Sequence, residues 1–481
     1  MKMTINEVIK AINGKLLSGS NDSLVLRVCT DSREAKDGDL FFAIVGEKND
    51  AHRFIPQVIE AGCKSIVISD ESKLPDGTLS AVNTTDIVKE GINIILANDT
   101  TKALQDLAKY YLDSMPLKKK IAVTGSVGKT STRDMLFSAL NSSFKTAKCV
   151  KNFNNAYGLP LSILEMPEDT EIAILEMGMS VKGSIDFLAN LTHPDMAIIT
   201  NIGLSHMENF PDEGRNGILK TKMEVTNYLL EGSKLIVNGD NDLLDTLDDS
   251  PIKNSVMGIG SNTPYELIKV KKGNQLGRKI TDFGMDGIEF EFEEHPVKLS
   301  APGTHNAMNA SLVLTCVKEV GKSLGLDEEA LLKEAIKGLE TAKMTENRLA
   351  LKEKNGIKII DDTYNAAPDS VKSAIRTLAS TPGKRHIAIL GDMFELGSEE
   401  KEAHMGVGNY ARVKKIDKVY AIGTLAEYIS KGAGCEYFKT KEEFLEKVGK
   451  EIIFSEGDII LVKASNGMKF REIVEKLWDN I

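Results

Sequence analysis

Short apolar runs alternate along this chain with longer stretches in which apolar positions recur every three or four residues. The runs read as buried strands and the periodic stretches as amphipathic helices. Near the N-terminal end, 40–45 (LFFAIV) and 65–69 (SIVIS) are expected strands, and 53–61 is a helix stopped by Gly62. A helix over 101–114 leads to Ile121, Ala122 and Val123, a short strand, and the pattern over 133–140 predicts a helix after it. Strands follow at 171–178, 195–203 and 234–240, with a helix over 217–230 before the last. Between 263 and 300 the pattern changes: Gly273, Gly277, Gly284 and Gly287 punctuate β-prone runs and predict hairpins. Helices follow from the stretch APGTHNAMNASLVL and over 328–339. Beyond Met344, strands are expected within 358–370, 386–397, 418–423 and 458–467, and the last helix is FREIVEKLW. Strands separated by helical patterns imply parallel, doubly wound sheets. The expected fold is α/β in three domains: a small α/β domain over 1–83, a central parallel-sheet domain over 84–343, and a Rossmann-like α/β domain over 344–481.

Composition narrows the function classes. A chain of 481 residues with 42% hydrophobic and 27% charged residues is that of a soluble globular protein of two to four domains. The net charge of −10 argues against a nucleic-acid surface, so cations that meet an anionic ligand must be concentrated locally. Five dispersed cysteines without CxxC spacing suggest reduced thiols in a cytoplasmic protein. No apolar run is long enough to span a bilayer. The first residues read as a helix with a possible capping box between Thr4 and Glu7, not as a signal peptide.

The most informative stretch is KKIAVTGSVGKTST, 119–132: a strand, a glycine loop and a helix start. Amides at the start of such a helix cradle phosphate. Gly125, Ser126, Gly128, Lys129, Thr130 and Ser131 would form the cradle, with Lys129 on the β/γ-phosphates and the Thr130 hydroxyl on Mg²⁺. The loop is a shortened GxxGKT; the first glycine of the longer pattern falls on Val123. In doubly wound sheets the ligand sits at the carboxyl ends of the strands, and Gly125, Glu176, Asn201 and His206 all fall at such ends. Glu176 is either a metal-binding carboxylate or a strand-end glutamate facing water. His206 either completes a metal shell or is a hydrogen-bonded turn residue. By composition alone Lys222 is a solvated helix lysine. Ser32 and Arg33 in TDSR could bind an anion or simply form a turn. The lack of NKxD gives a GTPase little support.

These pieces together resemble the Mur ligases, three-domain ATP-dependent enzymes of peptidoglycan synthesis and hence of cell shape, growth and division. The shared features are TGSVGKTST, ILEMG, NIGLSHMENF, the lysine of KTKMEV and the PGTHNAMNA helix, and the resemblance spans essentially the whole chain. FNNAYGLP, IDDTYNAAPDS and LGDMFELG are similar to the member that joins D-alanyl-D-alanine to a UDP-N-acetylmuramoyl-tripeptide. That resemblance implies UDP held by Ser32, Arg33 and His52, and sugar-peptide faced by Asn154 and Asn155. It implies ATP on the loop, with Asn306 and Asn309 on the adenine side and Arg348 and Asp362 reaching back from the third domain. It implies Mg²⁺, two ions, at Thr130, Glu176, His206 and Lys222, the last carbamylated by CO₂. Lys129, His206 and Lys222 would be the catalytic set. Tyr364 and Asn365, with the LGDMFELG and VKASN loops, would shape the dipeptide pocket. The enzyme would be a cytoplasmic monomer acting through an acyl phosphate.

Two positions depart from the family pattern. Ala367 stands where NAN has its second asparagine, and KASN replaces KGSR, so Asn466 stands where an arginine is usual. Both bear on the amine substrate. The rival readings are a family member or a folate polyglutamate ligase taking another amine, and a non-catalytic nucleotide-binding paralogue.

Overall fold

The computed structural model describes residues 1–46, 49–74, 91–150, 152–260, 264–277, 279–345 and 348–481. The expected boundary between 83 and 84 lies outside them. The chain forms two compact units. One contains Met1–Lys120, Lys145–Met177 and Asn190–His193; the other contains Ile121–Phe144, Gly178–Ala189 and Pro194–Ile481.

In the first unit the apolar runs become a five-stranded sheet. Its order is Lys15–Ser18, Asn93–Leu96, Ser65–Ile68, Asp39–Phe42, Arg27–Cys29, antiparallel at the first pair and parallel thereafter. Phe41, Ile55, Val58, Ile66 and Ile94 share its core. The helix Ile5–Ile12 opens with the expected capping box, in which Thr4 N–H donates to Glu7 Oε2 and Glu7 N–H donates to Thr4 Oγ1. The helix Ile55–Glu60 follows a 3₁₀ turn, Ala51–Phe54. Thr146–Lys148 and Ile172–Glu176 form a parallel pair.

In the second unit Glu266–Val270, Lys234–Asn238, Met196–Ile199 and the strand that ends at Thr124 lie side by side, all parallel. The helices Lys129–Leu140, His305–Ser323 and Glu328–Glu340 pack on one another; Gly338 lets its helix meet the Ser138 backbone, where a Cβ would come within 2.2 Å. A second sheet has the order Ala350–Lys354, Ile357–Asp361, Asp458–Lys463, Arg385–Gly391, Lys418–Ile422, Glu436–Phe438, parallel except at the first pair. Its two faces bury separate clusters. Val371, Val407 and Ile429 come from helices on one side, and Phe444, Ile473 and Leu477 from helices on the other. That is the doubly wound arrangement expected of alternating strands and helices.

Three local expectations are corrected. The helix expected over 217–230 ends at Met223 and continues as a 3₁₀ turn, Glu224–Tyr228. Thr226 Oγ1 bonds back to Met223 O, and the half-buried Glu224 carboxylate accepts from Gly183 and Asp186 N–H near the start of another helix. Within 263–300 only the later part is a set of hairpins: Thr281–Asp282, Ile288–Phe292 and His295–Leu299 form an antiparallel sheet, while Glu266–Val270 joins the parallel sheet. Ala350–Lys354 is a further strand, alternately half-buried and exposed, on a sheet edge.

Candidate active site

The glycine loop is built as its sequence requires. Gly125 has φ +146°, and a Cβ there would lie 1.9 Å from Thr200 Oγ1, so only glycine fits. Gly128, at φ +89°, opens the helix Lys129–Leu140, and a Cβ would press on the Asn309 amide at 3.1 Å. Asn201 fixes the loop from the neighbouring strand end. Ser126 N–H donates to its carbonyl at 3.0 Å and Val127 N–H to its Oδ1 at 2.8 Å. Thr200 Oγ1 donates to Val127 O at 2.6 Å, and Ser126 Oγ accepts from Gly203 N–H at 2.9 Å. The first-turn amides of the helix therefore face a rigid loop, an anion cradle. Lys129 Nζ lies back over it, donating to Gly125 O at 2.8 Å and Ser126 O at 3.3 Å.

One cavity joins this loop to residues from much later in the chain. Ser126, Gly128, Lys129, Thr130 and Ser131 line it with His305, Asn306, Arg348, Asp362, Tyr364, Asn365 and Lys463. Asn306 Nδ2 donates to Pro302 O at 2.8 Å, and its Oδ1 accepts from Asn309 at 3.0 Å. The Arg348 guanidinium stands 4.6 Å from the Tyr364 ring centroid. Lys463 Nζ donates to Asp362 Oδ2 at 2.6 Å and to Asn365 O at 2.8 Å. Burial pulls the Lys463 ammonium pKa down while Asp362 pushes back. His305 is pushed down to about 4, by burial first and then by the charges of Arg376 and Lys463. A second recess beside this cavity is lined by Ser205, Tyr364, Ala367, Phe394, Glu395 and Asn466.

Two further candidates lie in the same unit. Lys222 ends the helix Arg215–Met223 and is buried, not solvated. Its ammonium pKa falls well below the ordinary lysine value, through burial first and then the nearby charge of Lys129. His206 sits at a left-handed turn, with Nδ1 2.6 Å from Glu395 Oε2. That contact holds the Glu395 carboxyl below its usual range.

The remaining candidates belong to the other unit. Glu176 ends its strand, is 1% exposed, and accepts from Asn154 Nδ2 at 2.9 Å. Asn155 Oδ1 accepts from Tyr157 and Gly158 N–H at the start of the helix Gly158–Leu164. Ser32 is buried within reach of Gln57, and Arg33 is exposed and paired with Asp31. Both His52 nitrogens are engaged, Nδ1 with Asp50 at 2.6 Å and Nε2 accepting from Ser69 N–H at 3.1 Å.

No group of three or more His, Cys, Asp or Glu that could hold a metal occurs among the described residues. Mg²⁺ asks for less, since it is commonly held by one or two protein oxygens together with phosphate and water. The buried Thr130 hydroxyl beside the loop is a hard donor of that kind, and so, in the other unit, is the buried Glu176 carboxylate. Among the described residues no helix is long and apolar enough to cross a membrane.

Residue patterns alone did not single out Asn201 as the loop's anchor, Lys463, His305 or Glu395. The sequence marks Asn201 only as one of several polar residues at strand ends; Lys463, which likewise ends an apolar strand with a polar side chain, could have been raised by the same signal. Nothing local marks Glu395.

Three family models match the chain: the Mur ligase family catalytic domain over 25–112, the Mur ligase middle domain over 123–317, and the Mur ligase glutamate ligase domain over 347–466. A UDP-N-acetylmuramoyl-tripeptide–D-alanyl-D-alanine ligase of Bacillus subtilis (strain 168) is 37% identical over all of this chain and 99% of its own length. The enzyme of that name from Escherichia coli (strain K12) is 28% identical over 100% and 99%. Among solved structures, MurF of Acinetobacter baumannii superposes with a TM-score of 0.81 at 27% identity, covering 100% and 99% of the two chains. MurF ligase of Thermotoga maritima in complex with ADP gives 0.72 at 27% identity, covering 94% and 97%.

Proposed function

This chain belongs to the Mur ligase family, and from that premise we propose that it adds D-alanyl-D-alanine to UDP-N-acetylmuramoyl-tripeptide at the expense of ATP, in peptidoglycan precursor synthesis. The observation that carries this reading is the end-to-end 37% identity to a ligase of that name. The cavity, with a phosphate cradle on one side and Arg348, Asp362 and Tyr364 on the other, suits it.

The reaction needs the tripeptide carboxylate to attack the γ-phosphate of ATP, forming an acyl phosphate and ADP. The amine of the dipeptide then attacks the acyl carbon, and phosphate leaves with the oxygen it gained. Carboxylate and γ-phosphate repel each other, so cationic groups aimed at the transferring phosphoryl group lower the barrier most. Lys129 is placed to do this once its ammonium turns from the loop carbonyls to phosphate. Asn306 and Asn309 are assigned to the adenine side of the nucleotide, and Arg348 and Asp362 reach back to the nucleotide from the C-terminal domain. Thr130 and His206 in this unit, and Glu176 in the other, are each assigned to Mg²⁺, which would supply further charge neutralisation when bound. Lys222 is assigned as the residue that adds CO₂ to its free amine, losing a proton to become a carbamate; burial beside Lys129 favours that amine. The acyl phosphate must be kept from water, and a C-terminal domain resting on the loop would do so.

In the other unit, Ser32, Arg33 and His52 are assigned to the UDP, and Asn154 and Asn155 to the sugar-peptide. Tyr364, Asn365 and the recess holding Ala367 and Asn466 are assigned to the dipeptide. The domain limits 1–83, 84–343 and 344–481, a monomeric state and a cytoplasmic location complete the reading.

Phosphate release from ATP tests it. With UDP-N-acetylmuramoyl-tripeptide present, release is expected on adding D-alanyl-D-alanine and not on adding single amino acids. Lys129→Ala should abolish it in a folded protein. Release with a different amine would keep the family and move the substrate, pointing at Ala367 and Asn466. Nucleotide binding without release, whatever the amine, would leave a non-catalytic paralogue.

A further inference from the structure

The loop 391–397 of the C-terminal sheet meets the loop that follows the strand Met196–Ile199. His206 Nδ1 and Glu395 Oε2 are 2.6 Å apart there. Glu208 N–H points to Glu395 O at 3.4 Å, and a Cβ on Gly397 would stand 3.2 Å from Glu208 Cα, so the two backbones abut. Leu204 packs against the C-terminal core beside them.

Both members of the pair hold unusual backbone. His206 has φ +67° and Glu395 φ +64°, left-handed values that cost energy in any residue but glycine. At 26% and 47% side-chain exposure the pair adds little to stability. Two strained positions that bring together a weakly stabilising pair point to a use other than holding the fold.

The loop that presents Glu395 is pinned on three sides. Asp392 accepts from Ala426 N–H at 2.7 Å and Thr424 N–H at 3.0 Å. Met393 N–H donates to Nε2 of the buried His404 at 2.9 Å, and Phe394 N–H donates to Ser465 Oγ at 2.9 Å. Glu395 therefore reaches His206 from a rigid support.

We propose that Glu395 is a positioning residue: its carboxylate takes the Nδ1–H of His206, fixes the ring and its tautomer, and leaves Nε2 as the metal-ligating nitrogen. A ligating imidazole generally gives its other N–H to such an acceptor, which orients the ring and makes it more basic. Because Glu395 lies on the C-terminal sheet, docking of that domain completes the histidine for metal. Metal affinity and domain docking are then one equilibrium. The inference rests on the assignment of His206 to the metal.

The test measures Mn²⁺ binding to the full-length protein with ADP present, by the electron paramagnetic resonance signal of free Mn²⁺, alongside kinetics in Mg²⁺. Glu395→Ala should weaken Mn²⁺ binding on the order of tenfold. Glu395→Gln keeps a carbonyl that can accept the Nδ1–H and should lose less, and it carries the test should the alanine variant fail to fold. Both should lower kcat and leave the KM for the UDP-linked substrate unchanged. Mn²⁺ binding in Glu395→Ala as tight as in the parent overturns the inference. Tighter binding overturns it too, since Glu395 would then be a competitor for the histidine. His206→Ala separates the two levels. If it leaves Mn²⁺ binding intact, the assignment of His206 falls and this inference with it. If it weakens binding while Glu395→Ala does not, only the role of Glu395 falls.

Discussion

Lys463 and Lys222 belong to the same compact unit and are buried almost alike, at 3% and 1% exposure, yet their surroundings are opposite. Lys463 ends a strand of the C-terminal sheet between the Asp362 carboxylate and the Asn365 carbonyl. Lys222 lies in the last turn of a helix, where the charge that acts on it is that of another cation, Lys129. Burial disfavours the ammonium in both places; only at Lys463 does a carboxylate offset it. One region keeps a cation and uses it as a tether between two strand ends. The other favours a free amine, a nucleophile. The same side chain, equally buried, becomes a strut or a reagent according to its counter-charge.

The strongest test of that contrast is to remove the strut. Lys463→Ala leaves the Asp362 carboxylate buried without its cation, and breaking a buried pair from one side costs about 3–5 kcal/mol. Unfolding by denaturant should show a loss of that size. A loss under about 1 kcal/mol would mean that Asp362 is already served by its other neighbours, and the contrast would weaken.

Lys222→Ala should behave in the opposite way. It removes a group whose charged form the site disfavours, so the midpoint of unfolding should hold or rise. Activity should fall on the order of a hundredfold, as when a metal site loses a supporting oxygen ligand. Added acetate or propionate should restore part of that activity, by supplying the oxygen a carbamate would have offered. The same acids should do nothing for Lys463→Ala. Equal rescue of both variants, or of neither, would end the distinction between strut and reagent.

How much of this could be read beforehand follows the range of the forces involved. The phosphate loop was legible because its glycines answer local needs: a left-handed turn at Gly128, and close approach to Thr200 at Gly125. The parallel sheets were legible because strands buried on both faces must be apolar throughout, as at Ile121–Val123. Ala350–Lys354 was not, because this edge strand carries three consecutive charged residues, Lys352 to Lys354, with Leu351 exposed, and reads as a loop. The early end of the helix at Met223 was not, because Glu224 is recruited to cap an element far away in sequence. Lys222 looked like a surface lysine for the same reason: its burial is decided by packing, and no pattern along its helix reports it. Only resemblance raised it. Glu395 meets His206 through tertiary closure alone, and the motif around it gave no hint of that contact.

His305 offers the finest cut on the same contrast. It is a third base, half-buried in the wall of the cavity, and its charged neighbours, Arg376 and Lys463, are both cations. By that rule it belongs with Lys222, as a base held neutral. Its pKa in the fold is about 4, against about 6.5 in an unfolded chain. Below pH 6.5 the unfolded state therefore binds a proton that the fold refuses, and stability falls as pH drops. The loss levels off once pH reaches the folded value near 4, where both states are protonated. His305→Gln removes the effect. Buried carboxylates also weaken the fold in acid, so the informative quantity is the difference between parent and variant. The two should run parallel above pH 7. Below it the parent should lose ground by up to about 1.4 kcal/mol per pH unit, the most one proton can contribute. Urea unfolding at pH 7.5, 6 and 5 would measure this. Parallel curves throughout would show that His305 finds a counter-charge the contrast denies it, and would place it with Lys463 among the struts.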